Sequence, residues 1–285
     1  MVPDHERMGN VMNLTPKDIQ LKKDTREKIT MLTAYDYSMA AAIDRAGVDM
    51  VLVGDSLGMV VLGYDSTVPV TMEEMLHHCR AVSRAVKKAL VVGDMPFMSY
   101  HISPEKAVEN AGRFLKEAGC HAVKLEGGTI MAPVIRHIVN AGIPVMGHVG
   151  LTPQTATALG GYKVQGQDLD SAKQLVADAE AVEEAGAFAM VMECVPSALA
   201  TEVAGRISIP VIGIGAGPGC DGQVLVTNDM LGMFDRFRPR FVREYAQLAP
   251  LIESAISNFI SDVKDASFPS DEESFAGGNY KEITG

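Results

Sequence analysis

The chain has 285 residues, 47% of them hydrophobic, which suits one large α/β barrel or two modest domains with a sizeable core. Its formal net charge of -11 disfavours nucleic acid and anionic membrane surfaces as partners, so an anionic substrate would need a metal ion or a local cationic pocket. No apolar run approaches the roughly 18 residues of a membrane span. The opening "MVPDHERMGN" lacks the apolar centre of a secretory signal and the acid-poor, Arg-rich character of a transit peptide, so a cytoplasmic protein is expected.

Residues 1–28 read as an N-terminal arm or helix. From Ile29 a unit repeats: a short apolar strand, a polar or Gly-rich turn, then an amphipathic helix often ending in "AG". The strands are "KITMLTAYD", "DMVLVGDS", "ALVVGDMPF", "HAVKLEGG", "IPVMGHVGL", "FAMVMECVP", "IPVIGIGAG" and a weaker "VLVTNDMLG". Near-continuous Val, Leu, Ile and Met runs fit strands buried on both faces, as in parallel sheets. Between them "SMAAAIDRAG", "TMEEMLHHCRAVSRAVKKA", "SPEKAVENAGRFLKEAG", "MAPVIRHIVNAG" and "SAKQLVADAEAVEEAG" read as helices. In the third, Ser103 is the N-cap, Pro104 the first helical residue and Gly119 the stop. Eight strands alternating with helices over about 250 residues predict a (β/α)8 TIM barrel, α/β in class and a single domain. An open doubly wound sheet is the alternative, and no G-x-G-x-x-G follows the first strand to favour it. The barrel with its C-terminal helix, "FVREYAQLAPLIESAISNFISDVKDA", is predicted over 29–266. Residues 267–285, polar and rich in Gly and Ser, read as a mobile tail.

In such a barrel the chemistry sits where strands end. Those ends carry Tyr35 and Asp36, Asp55 and Ser56, Asp94, Lys124 and Glu126, His148, and Glu193. Lys124 and Glu126 are conspicuous inside "AVKLEGG", because burying a lysine and a carboxylate is costly unless they pair or bind something. Each strand-end residue alone is more ordinarily a cap, a turn residue or a satisfied core histidine. Together, Asp55, Asp94 and Glu126 would crowd like charge at one mouth unless a cation neutralised it. No basic residue adjoins either aspartate in the sequence. Oxygen donors without a Cys/His cluster favour Mg2+ over Zn2+. A metal chelated by a 2-oxo acid stabilises an enolate, Lys124 would add charge, and Glu193, in apolar surroundings across the mouth, is the candidate base at C3.

The stretches "VLVGDSLGMVVLGYDSTVPVT", "GDMPFMSY", "AVKLEGG", "PVMGHVGLTPQ", "GGYKVQG", "MVMECVP", "IGIGAGPGCDGQVLV" and "NDMLGMF" closely resemble the ketopantoate hydroxymethyltransferase family, from about Ile29 to the C-terminal helix. The resemblance implies transfer of a one-carbon unit from 5,10-methylenetetrahydrofolate to 3-methyl-2-oxobutanoate. It implies Asp55 and Asp94 as Mg2+ ligands that also meet the substrate, and Glu126 as a ligand directly or through water. Ser56 and Lys124 would hold the substrate, Tyr35 and His148 line the pocket, and Glu193 accept the proton. It also implies a large homo-oligomer, typically a decamer.

Two rival readings stay open at this point. A Mg2+-dependent 2-oxo acid lyase or mutase of the phosphoenolpyruvate mutase type would share the barrel, but a catalytic cysteine or different loop motifs would be expected in place of "KLEGG" and "ECVP". A non-catalytic assembly subunit would not need the metal ligands, lysine and base. The Gly-rich "GIGAGPGCDG" reads as a tight turn on the folate side of the site, with a phosphate nest as the alternative. His77 and His78 in "LHHC" read as a solvated helix face and not as metal ligands. The four cysteines lack C-x-x-C spacing and read as reduced thiols, mostly buried, with Cys194 the candidate for reactivity.

Overall fold

The computed structural model describes residues 13–234 and 239–277. The first part of the expected arm, residues 1–12, and the end of the expected tail, residues 278–285, lie outside the described residues. In chain order the elements are α1 (Pro16–Asp24), β1 (Ile29–Thr33), α2 (Tyr37–Ala46), β2 (Met50–Val53), α3 (Leu57–Val60), α4 (Met72–Ala85), β3 (Leu90–Asp94), α5 (Pro104–Ala118), β4 (Ala122–Lys124), α6 (Ala132–Asn140) and β5 (Val145–Gly150). There follow α7 (Leu169–Glu184), β6 (Ala189–Glu193), α8 (Ser197–Arg206), β7 (Val211–Ile214), β8 (Gly222–Leu225), α9 (Thr227–Met230) and α10 (Leu248–Lys264). The eight strands are parallel and close in sequence order, β8 pairing back onto β1. This is the predicted (β/α)8 barrel.

Local chemistry starts and stops the helices where the sequence says it should. The side chains of Asp36, Thr71, Ser103 and Asp168 accept from the first-turn N–H groups of α2, α4, α5 and α7. Thr71 and Glu74 close a reciprocal capping box. Gly47 and Gly119 end α2 and α5 in the left-handed conformation that glycine adopts without strain.

One boundary differs from the reading of the sequence. The eighth strand begins at Gly222, and "TNDM" forms the short helix α9, because Thr227 turns inward to donate its hydroxyl to Thr33 O at 2.6 Å. Of the arm or helix read over 1–28, the described part carries a helix, α1, capped by a Thr15–Asp18 box.

Alternate residues along each strand serve different cores. One set packs outward against α2 and α4–α8, as with Val51, Val91, Val123, Val145 and Met190. The other fills the barrel: Ile29, Met31, Met50, Leu90, Val92, Ala122, Met146, Ala189, Val191, Ile212 and Val224, joined by Ile19 of α1. On β3, β4, β5 and β6 that inward row runs on to Asp94, Lys124, His148 and Glu193. The same face of the same strands is thus apolar at the N-terminal end of the barrel and ionisable at the C-terminal end.

The chain forms two compact units. The barrel runs to Thr227 and includes Pro239–Val242, and the second unit takes the remainder, with α10 as its long element. From Leu251 onward every residue of α10 is exposed, among them Leu251, Ile256 and Phe259.

Candidate active site

Strand register sets the first contact. Asp94 and Lys124 are the last residues of neighbouring strands and stand opposite one another. Lys124 Nζ lies 2.8 Å from Asp94 Oδ1. This corrects the expectation that no basic residue stands beside the aspartates: Lys124 is remote in sequence but adjacent across the ladder. Asp94 Oδ2 accepts from the backbone N–H of Asp55 at 3.2 Å. On the other side, Lys124 Nζ is 3.3 Å from His148 Nδ1. His148 in turn places Nδ1 3.5 Å from Glu126 Oε1 and Nε2 3.2 Å from Glu193 Oε2. One line of contacts therefore runs from Asp55 through Asp94, Lys124 and His148 to Glu193, with Glu126 beside it. Tyr35 and Ser56 share a separate hydroxyl–hydroxyl bond of 2.8 Å.

Burial sharpens the electrostatics. Asp55, Asp94, Lys124, Glu126 and His148 are each at most 5% exposed. Burial, then the charges of Asp94 and Glu126, push the Asp55 carboxyl well above the usual range. Burial also raises Asp94, although Lys124 works against it. Burial opposes the charge on Lys124, but Asp94, Glu126 and Asp55 outweigh it and hold the ammonium ionised. Burial and Lys124 lower the pKa of His148; the nearby Glu126 and Glu193 carboxylates prevail and raise it to about 9. Burial would raise Glu126, yet His148, Lys124 and the Gln154 N–H keep its carboxyl below the ordinary value.

Among the described residues no three His, Cys, Asp or Glu side chains form a cage for a metal ion. A pair does offer itself. Asp55 and Asp94 are crowded, desolvated carboxylates, and buried Asp94 Oδ1 has no aligned hydrogen-bond partner despite the nearby ammonium. Mg2+ commonly takes only one or two protein carboxylates and fills its shell with water and substrate. The donor set fits that ion, and the Glu126 charge acts on both aspartates.

The comparisons with known proteins bear on what such a site belongs to. The family model for ketopantoate hydroxymethyltransferase matches residues 13–271. The chain belongs to that family. A 3-methyl-2-oxobutanoate hydroxymethyltransferase from Syntrophomonas wolfei is 61% identical over 254 residues, covering 89% of this chain and 92% of the relative. The namesake from Desulfotalea psychrophila is 58% identical over 271 residues, covering 95% and 97%. Membership makes the chain a transferase. Among solved structures, a putative phosphonomutase from Burkholderia cenocepacia superposes with a TM-score of 0.60 at 15% identity, over 88% of this chain and all of that one. A 2,3-dimethylmalate lyase of the phosphoenolpyruvate mutase/isocitrate lyase superfamily superposes at 0.57 and 16%, over 92% of each chain. At such identity the likeness is one of fold alone: the rival class shares the barrel.

In this ketopantoate hydroxymethyltransferase-family barrel, the loop chemistry refines several expectations. Glu193 does not sit among apolar groups alone, since the His148 imidazole faces it. Gly150 lets β5 approach β6 there: a Cβ would meet Glu193 O at 2.3 Å. Cys194 turns the chain away at φ +49°, is half-buried, and burial followed by the Glu193 charge pushes its thiol to about 12, which leaves it a poor nucleophile. The "GIGAGPGCDG" glycines pack a turn against α8, where a Cβ on Gly219 would lie 1.9 Å from Thr201 Oγ1. His77 is exposed as expected, but His78 is half-buried and its Nδ1 contacts Tyr35 O at 2.6 Å. Sequence reasoning missed Gln154 and Tyr100, both buried in the network. They fall within quoted family stretches, but neither residue type signals a role by itself.

Proposed function

We propose that this chain transfers a hydroxymethyl group from 5,10-methylenetetrahydrofolate to 3-methyl-2-oxobutanoate, giving 2-dehydropantoate for pantothenate and coenzyme A synthesis. Asp55 and Asp94 hold Mg2+, with Glu126 acting directly or through water. When bound, that ion supplies Lewis acidity toward the oxygens of the 2-oxo acid. The observation that carries the reading is the position of Lys124 and His148, two buried basic side chains between the aspartate pair and Glu193.

The residues divide the work. Lys124 meets the negative charge that grows on the oxo-acid oxygen as C3 is deprotonated, and Ser56, with Tyr35 behind it, helps hold the substrate. Glu193 removes the C3 proton, and His148 orients its carboxylate. C3 then bonds to the one-carbon unit, the folate C–N bonds break, water supplies the hydroxyl oxygen, and tetrahydrofolate leaves. We place the enzyme in the cytoplasm as a homo-oligomer, a decamer by family resemblance. The apolar residues that α10 exposes support assembly between copies.

The test is hydrogen–deuterium exchange at C3 of 3-methyl-2-oxobutanoate, followed by NMR without folate. Mg2+-dependent exchange is expected, slowed about 10²–10⁴-fold in Glu193→Gln. Absence of exchange in the parent protein would favour the assembly-only reading. Undiminished exchange in the variant would move the base elsewhere.

A further inference from the structure

Gln154 lies in a 3-10 turn, Pro153–Thr155, just after β5. It is 3% exposed, and its side-chain amide and backbone N–H are engaged. Its Nε2 donates to Asp55 Oδ2 at 2.9 Å and to Met95 O at 2.9 Å. Its Oε1 accepts from the Tyr100 hydroxyl at 2.6 Å. Its backbone N–H donates to Glu126 Oε2 at 3.0 Å. Tyr100, also fully buried, accepts in turn from the backbone N–H of Glu126 at 3.2 Å. The surroundings fix which way the amide points. Nε2 faces a carboxylate and a carbonyl, while Oε1 faces a hydroxyl; the flipped amide would set oxygen against oxygen twice.

One residue thus ties the ends of three strands, β2 at Asp55, β3 at Met95 and β4 at Glu126. The turn that carries it is stapled by a 2.6 Å contact between the Thr152 and Thr155 hydroxyls. Such a network does more than satisfy a buried amide. It takes one oxygen of Asp55 and one of Glu126, and so fixes how each carboxylate is rotated. Carboxylates that repel one another would otherwise turn apart.

We infer that Gln154, braced by Tyr100, is a positioning residue that sets the Asp55 and Glu126 carboxylates in the orientation a divalent cation requires. The inference rests on the metal reading given under the proposed function. Outer partners of metal ligands are commonly worth about 10–100-fold in metal affinity. Gln154→Met keeps the volume and removes the amide, so a loss would not come from a cavity. Tyr100→Phe keeps the ring and removes one hydroxyl.

The experiment titrates the full-length protein with Mn2+, reading free ion by electron paramagnetic resonance and bound-ion hydration by water-proton relaxation, well below the unfolding temperature. Gln154→Met is expected to bind Mn2+ about 10–100-fold more weakly, with more water retained on the bound ion. Tyr100→Phe is expected to lose about tenfold or less, and it decides the matter if Gln154→Met does not fold. Hydration of the bound ion would not respond to a purely structural role. Parent-like affinity and hydration in the variants would overturn the positioning role and leave the metal reading standing. Failure of the parent protein to bind Mn2+ would overturn the metal reading itself, and the positioning role with it.

Discussion

Asp44 and Asp55 are equally buried, each 5% exposed, at opposite ends of the barrel. Asp44, at the N-terminal end, accepts from the backbone N–H groups of Lys87, Lys88 and Ala89 at 2.9–3.0 Å. Asp55, at the C-terminal end, receives one side-chain donor, Gln154, and faces two further carboxylates. Lys23 and Lys124 repeat the contrast. Lys23 donates to Ala204 O, Ile209 O and Asp221 Oδ2, each at 2.9 Å. Lys124 sits instead among ionisable groups, one of whose oxygens, Asp94 Oδ1, lacks an aligned hydrogen bond. The two aspartates are equally buried, but the compensation differs. Donors from the fold itself make a charge structural, whereas a charge left short of partners is fitted to a ligand.

The largest effect that would test this contrast is at Asp55. Asp55→Asn removes a crowded charge and keeps an acceptor for Gln154. Stability is expected to be unchanged or raised by about 1 kcal/mol, while Mg2+-dependent C3 exchange falls to background. Chemical denaturation and NMR exchange on the same preparation measure both. A strongly destabilised Asp55→Asn would erase the distinction between the two ends.

The next effect belongs to the apolar end. Ile19 of α1 is fully buried within the cluster that fills the barrel, beside Ile29, Met31 and Met50 in that core. Ile19→Ala should lower stability by about 2–5 kcal/mol. The exchange rate per folded molecule should stay at the parent value, since the site lies beyond the apolar layers. A shifted denaturation midpoint with unchanged exchange is the expected result; a lost rate would mean that the two ends are coupled.

The two ends also differed in how legible they were. The strands were readable because both faces of a parallel barrel strand are apolar, and the strand-end residues stood out against that background. Asp94, Lys124, His148 and Glu193 were visible as polar interruptions of the inward row. Their partners were not, because the Asp94–Lys124 contact depends on strand register, which no local pattern encodes. Gln154 escaped for the same reason: a glutamine in a turn is ordinary until three strand ends close around it. At the other end Ile19 was hidden because α1 precedes the repeating units and shows little amphipathic patterning, so only the closed barrel reveals what it covers. Asp44 was hidden within "AAAIDRAG", where a helix-terminal aspartate looks like solvated surface.

Asp44 supplies the smallest effect and the cleanest counterpart to Asp55. Its Oδ1 accepts from Lys88 and Ala89, and its Oδ2 from Lys87. In Asp44→Asn the amide oxygen can keep the first pair, but the new NH2 group confronts the Lys87 N–H, a donor against a donor. One charge-assisted bond is lost and a part-buried N–H is left facing another donor, which costs about 1–3 kcal/mol. Amide hydrogen exchange should quicken at residues 87–89, where the chain enters β3, before it quickens elsewhere in the barrel. Mn2+ affinity and C3 exchange should both remain at the parent value, because Asp94, at the far end of the same strand, keeps its neighbours. The same chemical change, aspartate to asparagine, would then weaken the fold at one end and abolish only the chemistry at the other. Parent-like stability in Asp44→Asn would show that backbone donors do not make a buried carboxylate structural here, and the distinction between the two ends would have to rest on the metal alone.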